Sequence, residues 1–205
     1  MFGVFLFLTY YLQQTRGYSP VTTGLAFLPM TGVITVTAVT ATTRLRGRVG
    51  SRILVGCGML LGAAGMLLLA QIEVATSYAT GILPGLVVMG LGLGLVFSTA
   101  MNSATLGVDP GDAGVASATV KASQQVGASL GTALLSTLAA SAASSFAAGA
   151  RPGPSLAATA AVHGYTTAFA VSAGIFLVGA VVAGLLYQRG VAPLEAAAGE
   201  PVMAA

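Results

Sequence analysis

The chain has 205 residues, of which 56% are hydrophobic and only 6% charged, with a formal net charge of +3. An ordinary soluble domain is about 25% charged, so this composition excludes a soluble globular enzyme, a disordered tail and a nucleic-acid binder. The mean hydropathy of +0.91 makes lipid the solvent, and the single cysteine, Cys57, rules out an intrachain disulfide.

The few charges bound long uncharged runs: 17–43, 53–72, 74–108, 122–150 and 152–188. A helix needs about 20 mostly apolar residues to cross the hydrocarbon core, and each run can hold one crossing. The expected fold class is an all-α membrane protein, with six transmembrane helices within residues 1–190 and a disordered cytoplasmic tail over 191–205.

Helix α1 is expected over about 2–14. From Met1 to Leu12 it rises only about 18 Å, short of a bilayer core of about 30 Å. No basic residue precedes it and no small-residue cleavage site follows, which argues against a signal peptide. Two readings stay open: Met1 lies partway along a helix that starts upstream, or the helix is short and begins among the headgroups. Thr9 and Gln13 share a face of it, with Tyr10 and Gln14 beside them.

The turn residues Gly17-Tyr18-Ser19-Pro20 lead into α2, over about 21–43, which carries Thr31, Thr35 and Thr42 along one side. A basic loop with Arg44, Arg46, Arg48 and Arg52 precedes α3, over about 52–71, which lacks strong polar groups but holds Gly58 and Gly62. On α4, over about 79–106, Ser98, Asn102 and Thr105 share a face bordered by Gly90 and Gly94. Pro84-Gly85 is expected to bend it. After Asp109-Pro110-Gly111-Asp112, with Asp112 placed as an N-cap, α5 runs over about 113–147 and is too long to lie wholly in the membrane. Its residues Ser117, Lys121, Gln124, Ala128 and Thr132 share a face, with Gln125 at the edge and Gly127 and Gly131 on an adjacent strip. Arg151-Pro152-Gly153-Pro154 and His163 are expected in an external loop before the apolar α6, over about 165–188.

Placing the basic loop in the cytoplasm also puts Arg189 there and leaves Arg16 and Arg151 outside. Five positive charges against two place both termini in the cytoplasm.

An amide or ammonium group facing lipid has no partner, so it turns toward protein or a water-filled cavity. Ser, Thr and Gly serve close helix packing equally well; large amides such as Asn102, Gln124 and Gln125 pack poorly. Lys121 can snorkel to the membrane surface or face a cavity. The sequence holds no carboxylate pair, metal-ligand set, phosphate loop or catalytic constellation, so no enzyme, cofactor or metal is expected. It also has no acidic residue deep in a helix to relay protons.

The local motifs carry a family resemblance. Tyr11-Leu12-Gln13-Gln14, Gly17-Tyr18-Ser19-Pro20, Gly24-Leu25 and Leu28-Pro29 stand at the entry; Ala113-Gly114-Val115-Ala116-Ser117, Ser123-Gln124-Gln125-Val126-Gly127 and Leu130-Gly131 stand on the penultimate helix. With six helices and a basic loop after the second, the chain from Phe2 to Arg189 resembles the C-terminal half of a major facilitator superfamily transporter. The motifs are similar to those of its drug:proton antiporter branch with fourteen spanners. The loop residues Arg44, Arg48, Gly50 and Arg52 resemble that family's cytoplasmic motif, although Thr43 and Gly47 depart from it. Lys121 stands where relatives commonly carry Asn.

The resemblance implies multidrug efflux by alternating access in a bacterial cytoplasmic membrane. It implies that a missing N-terminal half supplies the coupling carboxylate, and that the first, second, fourth and fifth helices line the cavity. Thr9, Gln13, Ser98, Asn102, Lys121, Gln124 and Gln125 are then substrate-path candidates, and Gly90, Gly94, Gly127 and Gly131 are packing positions. The implied partners are the lipid bilayer, a small amphipathic drug-like substrate, and the N-terminal half or a second copy; nucleic acid is not among them. Two alternatives stand beside this: a six-helix subunit that acts as a dimer, and a membrane assembly protein that transports nothing.

Overall fold

The computed structural model describes residues 2–45, 49–105, 108–109 and 111–186. Arg46, Arg48 and Arg189 lie outside the described residues, as does the expected disordered tail.

The described chain is helical almost throughout. Helix α1 spans Phe2–Tyr10 and continues as a π turn, Tyr11–Thr15. Helix α2 spans Pro20–Thr40, with a π turn at Ala41–Leu45; α3 spans Ser51–Leu69. A π turn at Tyr78–Ile82 leads into α4, Leu83–Thr105, followed by α5, Ala113–Gly149, and α6, Leu156–Leu186. Five of these are long and apolar enough to cross a membrane, namely α2 to α6. The 9 residues of α1 and the 5 of its π turn rise about 21 Å, so α1 falls short, as its length alone requires.

Local chemistry sets the boundaries. Gly17 takes φ +69, a left-handed turn open to glycine, and the Tyr18 N–H donates to the Leu12 carbonyl at 2.9 Å. Ser19 then caps α2: its hydroxyl accepts from the Thr22 N–H at 3.1 Å, and Pro20 fills the first helical position. Along α2, the hydroxyls of Thr31, Thr35, Thr40 and Thr42 donate to carbonyls one turn back, so they need no partner across the lipid.

Two expectations need correction. Asp112 occupies the N-cap position of α5 but its side chain caps nothing, because its backbone is already helical at ψ −3. Asp109 does the local work instead, accepting from the Gly111 N–H at 2.9 Å. Helix α6 begins at Leu156 rather than near 165, so His163 lies on a helix and stacks on Phe146 of α5 at 4.9 Å. Hydropathy does not mark this start, because Ser155-Leu-Ala-Ala-Thr-Ala-Ala carries no strong apolar signal, although Ala is the best helix former. At Pro84 the chain arrives through a widened π turn, which relieves the clash between a proline ring and the preceding turn's carbonyl.

In space the helices follow the order α2, α4, α3, α6, α5, forming an open arc. The α3–α4 crossing is tight because glycines meet there: a Cβ on Gly92 would lie 2.5 Å from the Gly58 carbonyl oxygen, and one on Gly65 would lie 2.7 Å from the Met89 nitrogen. Gly90 and Gly94 of α4 face α2 in the same way, 3.0 Å from the Met30 oxygen and 2.8 Å from the Ile34 oxygen for an added Cβ. Helix α1 lies across the arc: Phe5 meets Phe27 of α2 with ring centroids 4.7 Å apart, and Phe7 meets Phe169 of α6 at 6.3 Å. Its own Val4 and Leu8, and Tyr11 and Leu12 of its π turn, are fully buried with Met30, Met66, Leu86 and Met89. Near Arg16 two tyrosines tie the helices to their connections. The Tyr11 hydroxyl donates to the Glu73 carbonyl and the Tyr78 hydroxyl to the Ala26 carbonyl, both at 2.7 Å.

Candidate functional site

The arc leaves a cleft of about 550 Å³ beside the N-terminal half of α5, and a second hollow of about 450 Å³ adjoins it along the same helix at Ser129, Ala133 and Ser136. One wall is α5 itself, presenting Lys121, Gln124, Gln125, Ala128 and Thr132. Of the polar face expected from helical spacing, Ser117 does not line the cleft, and Gln125, Ala128 and Thr132 also border the second hollow. The opposite wall is apolar: Met59 and Met66 from α3, Phe97 from α4, and Ile175 and Phe176 from α6. Phe2, Gly3 and Leu135 close the end toward α1.

The cleft exists because α5 stands away from the bundle over this stretch. Residues 121–127 are exposed on every side, whereas Leu135 and Ala139, further along, are buried. At the far end, Gly164 of α6 brings α5 in close: its added Cβ would lie 2.5 Å from the Ala139 oxygen. The two helices therefore touch at one end and diverge toward the other. Lys121 is the one cation lining the cleft among the described residues, on the same wall as Gln124, Gln125 and Thr132.

The other candidates lie elsewhere. Thr9 and Gln13 are half-buried on α1 and its π turn, outside this cleft. Ser98 donates to the Gly94 carbonyl at 2.8 Å, and the Asn102 amide donates to the Ser98 carbonyl at 2.7 Å, so both engage their own helix. In the basic loop Arg44 is exposed, Gly50 takes the N-cap position of α3 with ψ 149, and Arg52 is half-buried in the first turn. Arg48 lies outside the described residues. Gly90 and Gly94 meet the α2 backbone as described above. Gly127 and Gly131 do not play the expected packing role here: nothing lies within 4 Å of a Cβ on either, because both border the cleft.

Spacing alone missed the apolar wall. Helices α3 and α6, which have no polar stripe, supply Met59, Met66, Ile175 and Phe176. The cleft is thus bounded by the third and sixth helices as well as by polar ones. Ser172 of α6 also lines it, though its hydroxyl is turned to the Ala168 carbonyl at 2.8 Å. No group of three or more His, Cys, Asp or Glu that could hold a metal is present among the described residues.

The Major Facilitator Superfamily family model matches residues 1–132. The chain belongs to the Major Facilitator Superfamily. Members of this superfamily are membrane transporters, not enzymes, and the chain is a multi-pass protein of a bacterial membrane. It is similar to the puromycin resistance protein pur8 of Streptomyces alboniger, 44% identical over 188 residues, covering 91% of this chain and 37% of that protein. It is also similar to the cephamycin export protein CmcT of Amycolatopsis lactamdurans, 34% identical over 66% of this chain and 28% of that protein. The tetracenomycin C resistance and export protein of Streptomyces glaucescens is 36% identical over 68% of this chain and 26% of that protein. The chain thus spans about a third of the length of these superfamily relatives.

Proposed function

We propose that this chain forms the C-terminal six-helix half of a proton-coupled drug efflux pump working by alternating access. The observation that carries the reading is the 44% identity to a puromycin resistance protein across 91% of the chain, which is 37% of that protein's length. Transporters of this architecture hold substrate near the midplane between two halves that rock against each other. The outer faces of α2 and α5 suit such a counterpart: Val21, Leu25, Leu28 and Val36 on one and Val126, Leu130 and Leu134 on the other are exposed.

In this reading the substrate is a small amphipathic drug, and Gln13, Asn102, Gln124 and Gln125, with Thr9, Ser98 and Lys121, border its path. Both termini face the cytoplasm, by the five-to-two distribution of positive charge. The coupling carboxylate lies on the other half, since no Asp or Glu falls deep in a helix here.

The test is puromycin susceptibility in a bacterial host stripped of its own efflux pumps. The 205-residue chain alone should give no protection. Joined to the portion of the puromycin resistance protein that precedes the aligned region, it should raise the inhibitory concentration severalfold, and a protonophore should abolish the gain. Robust proton-driven export by the chain alone would overturn the reading in favour of a self-sufficient dimer.

A further inference from the structure

We propose that the cleft beside α5 takes an amphipathic organic anion: a flat apolar body with one acidic group, a carboxylate or a sulfonate, held on Lys121. The inference rests on the efflux reading for its meaning, since it names the class of substrate this path favours. The binding itself is tested without transport.

Charge comes first. Lys121 is the only lysine in the sequence, and every other basic residue apart from His163 is an arginine. Among the described residues the arginines stand at connections or helix ends: Arg16 after the π turn of α1, Arg44 in the π turn that ends α2, Arg52 in the first turn of α3 and Arg151 beyond α5. Lys121 lies about two turns, roughly 12 Å, into α5. The described acids are at connections too, Glu73 before α4 and Asp109 and Asp112 before α5, and none of them lines the cleft. The cleft therefore carries one positive charge with no acid on its walls. In surroundings of low dielectric such a charge attracts an anion and repels a cation more strongly than it would in water.

The two walls set an orientation. Gln124, Gln125 and Thr132 continue the polar wall from Lys121 and offer both donors and acceptors. Across from them stand Met59, Met66, Phe97 and Phe176. Thioethers and rings make a polarizable, adaptable surface that suits an aromatic body. The volume of about 550 Å³ falls within the range of about 300–1,000 Å³ that drug-sized ligands occupy.

The choice of lysine matters as well. Its ammonium is a compact point charge on a flexible stem, so it can follow acidic groups set at different positions on the body. An arginine fork would demand one planar geometry. The site is thus permissive toward shape and selective toward charge. The preference is graded: a neutral amphiphile is indifferent to Lys121, and a permanent cation is disfavoured.

The experiment uses the full chain with Ile175→Trp, reconstituted in phosphatidylcholine nanodiscs. Ile175 lines the cleft and is 50% exposed, so a larger ring has room, and the sequence contains no other Trp. Three probes share one body and differ in charge: 1-pyrenebutyrate, 1-pyrenebutanol and pyrenebutyl-trimethylammonium. Energy transfer from the tryptophan to pyrene reports binding. The butyrate should bind saturably and more tightly than the trimethylammonium probe. Lys121→Gln should weaken the butyrate about tenfold, the loss expected of one hydrogen bond to a charged group, and leave the butanol unchanged. Lys121→Arg should keep most of the butyrate binding. Should Lys121→Gln disturb folding, acetylating the folded chain neutralises Lys121 and no other basic side chain, and the same loss is expected.

Unchanged butyrate binding after Lys121 is neutralised would overturn the proposal, because the ammonium would then sit at the membrane surface. So would equal affinity for all three probes, or transfer that rises without saturating, which is partition into lipid. Nanodiscs rich in phosphatidylglycerol, at about 0.5 M salt to screen surface charge, separate a soluble anion from a lipid headgroup. Unchanged butyrate affinity there supports the soluble anion; a loss as large as that of Lys121→Gln would assign Lys121 to the headgroup and overturn the proposal. Butyrate binding without export in the susceptibility test counts against the efflux reading alone. Export with binding indifferent to Lys121 counts against this proposal alone.

Discussion

The α3–α4 crossing offers the sharpest test of how this bundle is held together. In Gly92→Ala the new Cβ would sit 2.5 Å from the Gly58 oxygen and 2.6 Å from the Gly62 nitrogen. Both are backbone atoms and cannot rotate away, so the helices must part by roughly 1 Å to restore a contact near 3.5 Å. A crossing of this kind involves on the order of 50 atom pairs at about 0.1–0.2 kcal/mol each, and a gap of about 0.5–1 Å forfeits a quarter to a half of that. The loss is about 1–5 kcal/mol, a range that contains measured overpacking costs. The gain in helix propensity on replacing glycine, about 1 kcal/mol at most, leaves a net destabilisation of up to about 4 kcal/mol. Gly56→Ala on α3 is the control, since nothing lies within 4 Å of its added Cβ.

The assay is SDS-driven unfolding in mixed micelles, followed by far-UV circular dichroism, because the chain has no Trp to report by fluorescence. Gly92→Ala should unfold at clearly lower SDS fraction than wild type, and Gly56→Ala should not. Adding Gly58→Ala to Gly92→Ala should cost less than the sum, because the helices have already separated. Equal stability of Gly92→Ala and Gly56→Ala would refute the claim that backbone contact at glycine organises this crossing.

Three further outcomes follow from the geometry, each read by the same unfolding assay. Tyr11→Phe and Tyr78→Phe each remove one hydrogen bond to a backbone carbonyl and should cost about 1 kcal/mol apiece. Ser19→Ala should cost about 1 kcal/mol through its lost cap, while Asp112→Ala, whose side chain caps nothing, should stay within about 0.5 kcal/mol of wild type. Gly164→Ala should destabilise the α5–α6 contact, where its Cβ would meet the Ala139 oxygen at 2.5 Å, whereas Gly174→Ala on the same helix meets nothing and should be tolerated.

Much of the fold was legible because charge is so scarce. Thirteen charged residues in a chain of 205 mark connections by elimination, and turn residues such as Gly17 and Ser19 fix the entry to α2. The start of α6 was not legible, since Ala-rich helix and Ala-rich loop differ little in hydropathy. The polar face of α5 was readable from period 3.6, and Lys121, Gln124 and Gln125 do converge on one cleft. What they face was not readable. The opposing wall comes from α3 and α6, helices apolar all round, and periodicity carries no information about which side of such a helix meets which neighbour. The same limit explains the glycines: spacing singled out Gly90 and Gly94 together with Gly127 and Gly131, but only three-dimensional placement separates the pair that is occupied from the pair that is not.

That separation bears on how the two polar helices act. The amide of Asn102 and the hydroxyl of Ser98 are turned into their own helix, on α4, whose glycines are covered on both flanks by α2 and α3. On α4 the side chains of Ser98 and Asn102 are held at fixed positions by their own backbone. Helix α5 is the opposite case, with its glycine pair bare and Lys121, Gln124 and Gln125 opening into space. In a bilayer, two amides and an ammonium cannot stay against acyl chains without a cost of several kcal/mol. The side of the bundle where α5 diverges is therefore where further protein, or water held by protein, has to be supplied. Backbone contact at glycine thus holds α3 to α4 along their crossing, whereas α5 meets α6 closely at Gly164 and diverges from there, so the polar stretch of α5 is the part of the bundle that a counterpart has to complete.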